Sequence, residues 1–255
     1  GYDSLYKNTT GYYNTASGYY SLFTNTTGSY NVASGYKALR FNTTGDFNTA
    51  VGKSALEANT TADNNTAVGY NSLLSNTTGA NNTSVGYTAL LANTTAQYCS
   101  ALGSMALAAN TTGNRNTAFG KSALETVTTA EENTGLGAYA LRVNTGANNT
   151  AVGSQSLISN TTADNNTAVG YYALNANTTA PNNVAIGFNN AKLNTTGTEN
   201  VSIGAYGFDA NTTGNNNVAI GKSSLGSNTT ASNNTAVGDA SLFAILFSIG
   251  LFFHS

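Results

Sequence analysis

The chain has 255 residues, 40% of them hydrophobic and only 8% charged, with a net charge of -2, no Trp, one Cys and one Pro. Ordinary globular domains carry roughly 25% charged residues, so the surface here must be built from Asn, Thr, Gly and Ala. The near-neutral balance lacks the clustered Lys and Arg from which proteins draw affinity for phosphate backbones, so nucleic acid is not an expected partner. With 15 Tyr and 10 Phe the chain also departs from the aromatic-poor, charged composition of disordered segments.

Read from Gly1, the sequence repeats every 17 residues. A glycine recurs at Gly1, Gly18, Gly35, Gly52, Gly69, Gly86, Gly103, Gly120 and Gly137, and, after one deletion, at Gly153, Gly170, Gly187, Gly204, Gly221 and Gly238. A fixed period of this length marks stacked repeats. The count predicts about fifteen coils over residues 1–242. The deletion falls where the usual Asn-Thr-Thr-Gly is shortened to Asn144-Thr145-Gly146, inside a turn, so the neighbouring strands are expected to stay in register.

Each column of the repeat has a physical rule. Four residues after the glycine stands Leu in thirteen of fifteen coils, with Ala191 and Phe208 substituting; such a column should stack on itself inside. Asn-Thr-Thr follows, as at Asn76-Thr77-Thr78, read as a second strand or turn closed by Gly or Ala. Asn then stands four residues before each next glycine, from Asn14 to Asn234, with Cys99 as the exception. The stretch from this Asn to the glycine, as in Asn65-Thr66-Ala67-Val68-Gly69, predicts a five-residue strand with Thr66 and Val68 on one face and Asn65 and Ala67 on the other. Asn columns stacked in register can form amide ladders.

The fold class this predicts is all-β, a parallel β-solenoid or β-roll. Lys53 and Glu57, or Lys121 and Glu125, stand four apart and would also suit a helical turn, so a β/α solenoid with a short helical turn per coil is the alternative.

The motif Asn65-Thr66-Ala67-Val68-Gly69, with Asn183-Val184-Ala185-Ile186-Gly187 and Asn217-Val218-Ala219-Ile220-Gly221, resembles the repeat of trimeric autotransporter adhesin heads. The Asn-Thr-Thr-Gly arrays also look like segments of phage tail fibres. The resemblance covers residues 1–242 and implies a left-handed parallel β-roll at a cell surface, three chains abreast. The coils are longer than is usual in that family.

Catalysis is not expected. A nucleophile triad needs a positioned base, and the one histidine, His254, lies outside the repeat. Cys99 reads as a substitution in an Asn column. The carboxylates read as scattered, one per coil or fewer, and Asp63 and Asp164 share a turn position several coils apart, so no metal site and no cofactor is expected. The Asn-Thr-Thr triplets at Asn8, Asn25, Asn42, Asn59, Asn76, Asn93, Asn110, Asn160, Asn177, Asn194, Asn211 and Asn228 satisfy the Asn-X-Ser/Thr acceptor pattern, as do Asn64, Asn81, Asn148, Asn165, Asn200 and Asn233. The same residues equally suit turns, where Asn tolerates left-handed backbone.

The two ends carry the candidate interface. Tyr2, Tyr6, Tyr12, Tyr13, Tyr19 and Tyr20 crowd the first coils, and amphipathic aromatics suit subunit or sugar contacts. Residues 243–255 form an apolar tail whose large side chains are Phe243, Ile245, Leu246, Phe247, Ile249, Leu251, Phe252 and Phe253, and Leu242, the last repeat residue, joins them in the candidate interface. As a helix the stretch would reach only about 18 Å, short of the roughly 30 Å of a bilayer core, so a membrane span is not expected. The sequence predicts a structural, extracellular or cell-surface subunit that joins copies of itself head-to-tail through this tail and the aromatic coils. The alternative is an adhesin head or tail-fibre shaft that binds a receptor or glycan.

Overall fold

The computed structural model describes residues 1–243, and within them every regular element is a short strand. The chain divides into two compact units, Gly1–Asn133 and Thr134–Ser255. The first holds β1 (Thr15–Ser17), β2 (Val32–Ser34), β3 (Thr49–Val51), β4 (Thr66–Val68), β5 (Thr83–Val85), β6 (Ser100–Leu102) and β7 (Thr117–Phe119). Each pairs in parallel with the next, one full coil on, as Thr66 does with Thr83. The second holds β8 (Thr134–Leu136), β9 (Thr150–Val152), β10 (Thr167–Val169), β11 (Val184–Ile186), β12 (Val201–Ile203), β13 (Val218–Ile220) and β14 (Thr235–Val237), paired by the same rule.

The fold is therefore an all-β parallel solenoid, and its coil count is about fourteen rather than fifteen. The expectation counted glycines, whereas each strand precedes its glycine, so strands close at Gly18 through Gly238. No helix occurs among the described residues: the stretch after each glycine, including Lys53 to Glu57, is a turn. The shortened coil keeps register, with Thr134 opposite Thr150 and Leu136 opposite Val152.

Strands are three residues long, not five, because each flanking residue keeps only one backbone bond to its neighbours, the Asn65 carbonyl accepting from the Thr49 N–H and the Gly69 N–H donating to the Val51 carbonyl, both at 2.8 Å. The Asn65 N–H donates to the side-chain Oδ1 of Asn48 at 3.0 Å instead of to a backbone carbonyl. At the other end Gly69 turns at φ +132°, and a Cβ there would run into the Gly86 carbonyl. The buried face is the Asn and Ala one: Asn65 and Ala67 are fully buried while Thr66 and Val68 stay partly open.

Leucines line the interior. Leu22, Leu39, Leu56, Leu73, Leu90, Leu107 and Leu124 are 0% exposed. Each has left-handed backbone, as at Leu56 (φ 53°) and Leu73 (φ 53°). The residue two before it (Ser54, Asn71) and the one before the strand Asn (Asn64, Asn81) are left-handed too. Left-handed conformation costs a non-glycine residue about 1–2 kcal/mol, so three such residues per coil must be offset by burial and hydrogen bonding.

Two asparagine columns supply much of that bonding. In the Asn-Thr-Thr column, which Val127 interrupts, most Nδ2 groups donate to the Oδ1 one coil back, as from Asn42 to Asn25 (2.8 Å) and Asn59 to Asn42 (2.8 Å). In the strand column the backbone N–H makes the backward bond, and Nδ2 reaches the carbonyl that closes the next turn, as from Asn48 to Ala62 (2.8 Å). Asn59 donates to that same Ala62 carbonyl at 3.0 Å, so the two columns meet on one acceptor. In the second unit Asn160 bonds Asn144 Oδ1 at 2.7 Å across the shortened coil.

Candidate functional site

Aromatic side chains of the first coils fall into columns because the repeat places them one above another. Tyr2, Tyr19 and Tyr36 form one stack, with ring centroids 5.6 and 5.7 Å apart and planes within 12° and 6° of parallel. Tyr6 stacks on Phe23 at 5.4 Å, and Tyr20 meets the same ring edge-on at 4.8 Å. On another side, Tyr12 and Tyr13 both approach Tyr30, at 5.3 and 5.2 Å, and Tyr30 stacks on Phe47 at 4.9 Å. Tyr2, Tyr6, Tyr12 and Tyr13 are all more than half exposed. Cations take up some of the remaining ring faces: the Lys37 ammonium lies over Tyr36 at 5.0 Å, and the Arg40 guanidinium lies 5.3 Å from Tyr20 and 4.6 Å from Phe41.

All six tyrosines expected at an interface are thus on the surface or half-buried near it, but in separate columns. Phe23, Phe47 and Arg40 belong to the same clusters and escaped the sequence reading. A signal was present: adding one period to Tyr6, Tyr30 and Phe23 lands on each in turn. Counting tyrosines rather than columns hid it.

The hydrogen bond between Tyr19 and Tyr20, with desolvation second, pushes the Tyr19 phenol up to about 12. Tyr30 is raised too, first by burial and then by the charge of Tyr12. A similar pair, Tyr171 and Tyr172, sits in the second unit at 4.2 Å, where a hydrogen bond again holds Tyr171 above its ordinary value.

At the far end of the described chain, Leu242 and Phe243 are half exposed. The repeat's backbone pattern still continues there, since the Ser227 N–H donates to the Phe243 carbonyl at 2.8 Å. The Phe243 ring sits against Gly226, where an added Cβ would lie 3.0 Å from it. Ile245, Leu246, Phe247, Ile249, Leu251, Phe252 and Phe253 lie outside the described residues.

The glycan-acceptor expectation needs correction at the Asn-Thr-Thr sites. Asn25, Asn42, Asn59, Asn76, Asn93, Asn110, Asn160, Asn177, Asn194, Asn211 and Asn228 are buried to 1% exposure or less, and their Nδ2 groups donate inside the coil. The amide nitrogen that would carry a sugar has no room for one. Asn8 is half-buried, and its Nδ2 donates to the Gly11 carbonyl at 2.8 Å. Asn200 is buried as well, whereas Asn64, Asn81, Asn148, Asn165 and Asn233 are exposed in left-handed turns.

Cys99 occupies the strand asparagine's place and copies part of its bonding. Its N–H donates to Asn82 Oδ1 at 2.9 Å, and its thiol reaches the Gly113 carbonyl at 3.2 Å. Burial pushes the thiol up to about 11, so the nucleophilic thiolate is suppressed at neutral pH.

The turn carboxylates act as caps for backbone. Asp63 Oδ1 accepts from the Asp46 N–H at 2.7 Å, and Asp46 Oδ1 from the Ser29 N–H at 2.6 Å. The reading of one carboxylate per coil or fewer fails between Gly120 and Gly137, which hold Glu125, Glu131 and Glu132. Glu131 and Glu132 share a turn and pair with Arg115 at 3.2 and 2.8 Å. Among the described residues no group of three or more His, Cys, Asp and Glu could hold a metal ion, and no helix is long and apolar enough to cross a membrane.

The chemistry this surface offers is therefore stacking, hydrogen bonding and apolar contact. Comparison with known proteins yields no matching family model and no curated protein or solved structure similar to the chain.

Proposed function

We propose that the chain is a structural subunit of an extracellular or cell-surface fibre that assembles from copies of itself. The observation that carries this reading is the in-register ladder: coil after coil presents the next with the same Asn, Thr and backbone groups, as in Asn42 to Asn25 and Thr43 to Thr60, with Cys99 and Val127 as departures. Such an architecture scales by adding repeats and directs its polar groups into its own stack. A sparsely charged surface of hydroxyls, amides and apolar side chains suits contact with like surfaces.

In this reading the joints form head-to-tail between the apolar residues 243–255 and the aromatic first coils of the next subunit. Such a heterologous contact gives open filaments when its rotation does not close. The test is negative-stain electron microscopy of the purified chain and of a version ending at Leu242. Filaments from the full chain and none from the shortened one are expected. Filaments from both would remove the tail from the joint, and none from either would refute self-assembly.

A second reading, an adhesin head or tail-fibre shaft, draws on Tyr12 and Tyr13, whose rings are 56% and 76% exposed. Exposed aromatic rings suit the apolar faces of sugars. Saturable binding to a glycan array, lost in Tyr12→Ala with Tyr13→Ala, would favour it; an array with no bound glycan would remove it.

A further inference from the structure

The sequence offers Tyr as a sugar or subunit platform, yet within the first stack both faces of the central ring are already occupied. Tyr19 has Tyr2 on one side at 5.6 Å and Tyr36 on the other at 5.7 Å, and Tyr36 carries the Lys37 ammonium 5.0 Å from its ring centre. Tyr19 and Tyr36 are 40% and 42% exposed and present mainly their edges to solvent, while Tyr2, 70% exposed, ends the stack with one face on Tyr19. Parallel stacking in one column brings like edges to the same side. The coil spacing of about 4.8 Å holds the parent backbones at this separation permanently.

We infer that the Tyr2, Tyr19 and Tyr36 column is an oxidative cross-linking site, in which neighbouring coils become joined by dityrosine. The co-reactant is a one-electron oxidant of the peroxidase or photosensitiser class. It removes one electron from each of two phenols, and each hydroxyl proton leaves to water. The two phenoxyl rings then join by one carbon–carbon bond between positions ortho to oxygen. As the rings regain aromaticity, the two ortho hydrogens move to the phenol oxygens through solvent. The protein loses two hydrogen atoms per link, and the oxidant gains two electrons.

Half-exposed side chains swing between rotamers in picoseconds to nanoseconds, so rings held a few ångströms apart can close the gap within the life of a radical. Tyr70 and Tyr87, stacked at 5.4 Å and 10°, form a second such pair in the same unit. The Tyr6 stack cannot react this way, because its partner Phe23 has no phenol. With one cysteine in the chain, disulfides cannot staple coils within it, and tyrosine columns supply an alternative covalent staple. The inference rests on column geometry alone and holds whether or not the chain forms fibres.

The test uses the full chain at low concentration with a peroxidase and hydrogen peroxide. Dityrosine fluorescence is expected in the monomer-sized band, at a rate per molecule independent of protein concentration. Trypsin cuts after Lys7 and Lys37, so the link should join the peptide of residues 1–7 to that of residues 8–37, with fragmentation placing it on Tyr2. Tyr19→Phe keeps the stack but removes the central phenol, and this linked peptide should disappear while the Tyr70 to Tyr87 link persists. A link of equal yield in Tyr19→Phe overturns the proposal. So does coupling confined to covalent dimers, or coupling of Tyr98, which stacks on no ring among the described residues, as readily as Tyr2. Absence of dityrosine while a free tyrosine derivative couples in the same tube overturns it as well.

Discussion

Replacing Cys99 by Asn should stabilise the first unit, although it removes the column's one departure from the repeat by inserting a polar group into a site 0% exposed. In a regular coil the strand asparagine's Oδ1 accepts the backbone N–H one coil on, as Asn48 does from Asn65 at 3.0 Å, and its Nδ2 donates to a turn carbonyl, as from Asn82 to Ala96 at 2.8 Å. At Cys99 sulfur stands in both places: the thiol donates to Gly113 at 3.2 Å and faces the Asn116 N–H. Thiols are weak donors and weak acceptors. Exchanging two weak bonds for two amide bonds, each worth about 0.5–1.5 kcal/mol net, less what the sulfur already supplies, predicts a gain of about 1 kcal/mol. Cys99→Ala loses both bonds and leaves a small void, so it should fall about 1–2 kcal/mol below the parent. Urea unfolding of the three proteins, followed by circular dichroism, should rank Asn above Cys above Ala. An asparagine variant no more stable than the parent would show that the ladder's polar bonds are not what holds that column, and would refute the reasoning.

The same thiol gives a pH signature. Because burial raises Cys99 from 9.0 to about 11, folding favours its neutral form. That stabilisation is complete below about pH 9 and is lost as pH rises toward 11; the gap between Cys99→Asn and the parent should widen by about 2 kcal/mol over this window. Ser84 and Ser202 occupy equivalent buried positions, yet their alanine variants should differ in sign. Ser84 Oγ donates to the Ala89 carbonyl at 2.9 Å and accepts from Ser72 at 2.7 Å, so Ser84→Ala should cost about 1 kcal/mol. Ser202 Oγ is buried without a partner, so Ser202→Ala should gain about 1 kcal/mol, read from separate thermal melts. Leu73→Ala should cost about 2–5 kcal/mol by emptying a fully buried position, against under about 1 kcal/mol for the half-exposed Leu102. Expressed in a host that attaches N-glycans, the folded protein should carry sugar at Asn64 or Asn81 and none at Asn42 or Asn59; site mapping that finds the reverse would contradict the burial argument.

The period, the buried leucine column and the asparagine ladders were legible because each is written into the sequence at fixed spacing and obeys a pairwise rule. Strand length was not. The expectation of five residues gave Asn65 both of its backbone bonds in the ladder; its carbonyl does accept from the Thr49 N–H, but side-chain capture of its N–H cannot be seen in a pattern of hydrophobicity. The left-handed backbone was only partly legible. Asn64, Asn81 and Asn165 announce it, but Leu56 and Leu73 do not, because leucine has no local preference for that conformation and adopts it where stacking and burial leave no other route. Ala191 and Phe208 are legible after the fact: neighbours in the leucine column, they move volume from one coil to the next.

For the candidate site, the crowding of tyrosine is plain in the sequence, but the stacking of the rings depends on side-chain orientation, which residue type and spacing leave open. The acceptor pattern at Asn-Thr-Thr misled for a simple reason: it describes chemistry and says nothing of which way the amide points. At Asn25 it points inward, to the Gly28 carbonyl and to Asn8.

The asparagine ladders also have a direction. Where the Asn-Thr-Thr column bonds from coil to coil, Nδ2 donates toward the coil before it, from Asn25 to Asn8, from Asn42 to Asn25 and from Asn211 to Asn194, while Val127 interrupts the row and Asn144 and Asn228 donate within their own turns. Amide dipoles in such a row align head to tail and polarise one another. A coil added ahead of the row must offer acceptors to it, and one added behind must offer donors. The template therefore discriminates against an inverted partner: at the end of the row a reversed coil would meet carbonyl with carbonyl, or N–H with N–H. Growth by repeat addition, whether by gene duplication or by docking of subunits, is in this sense vectorial.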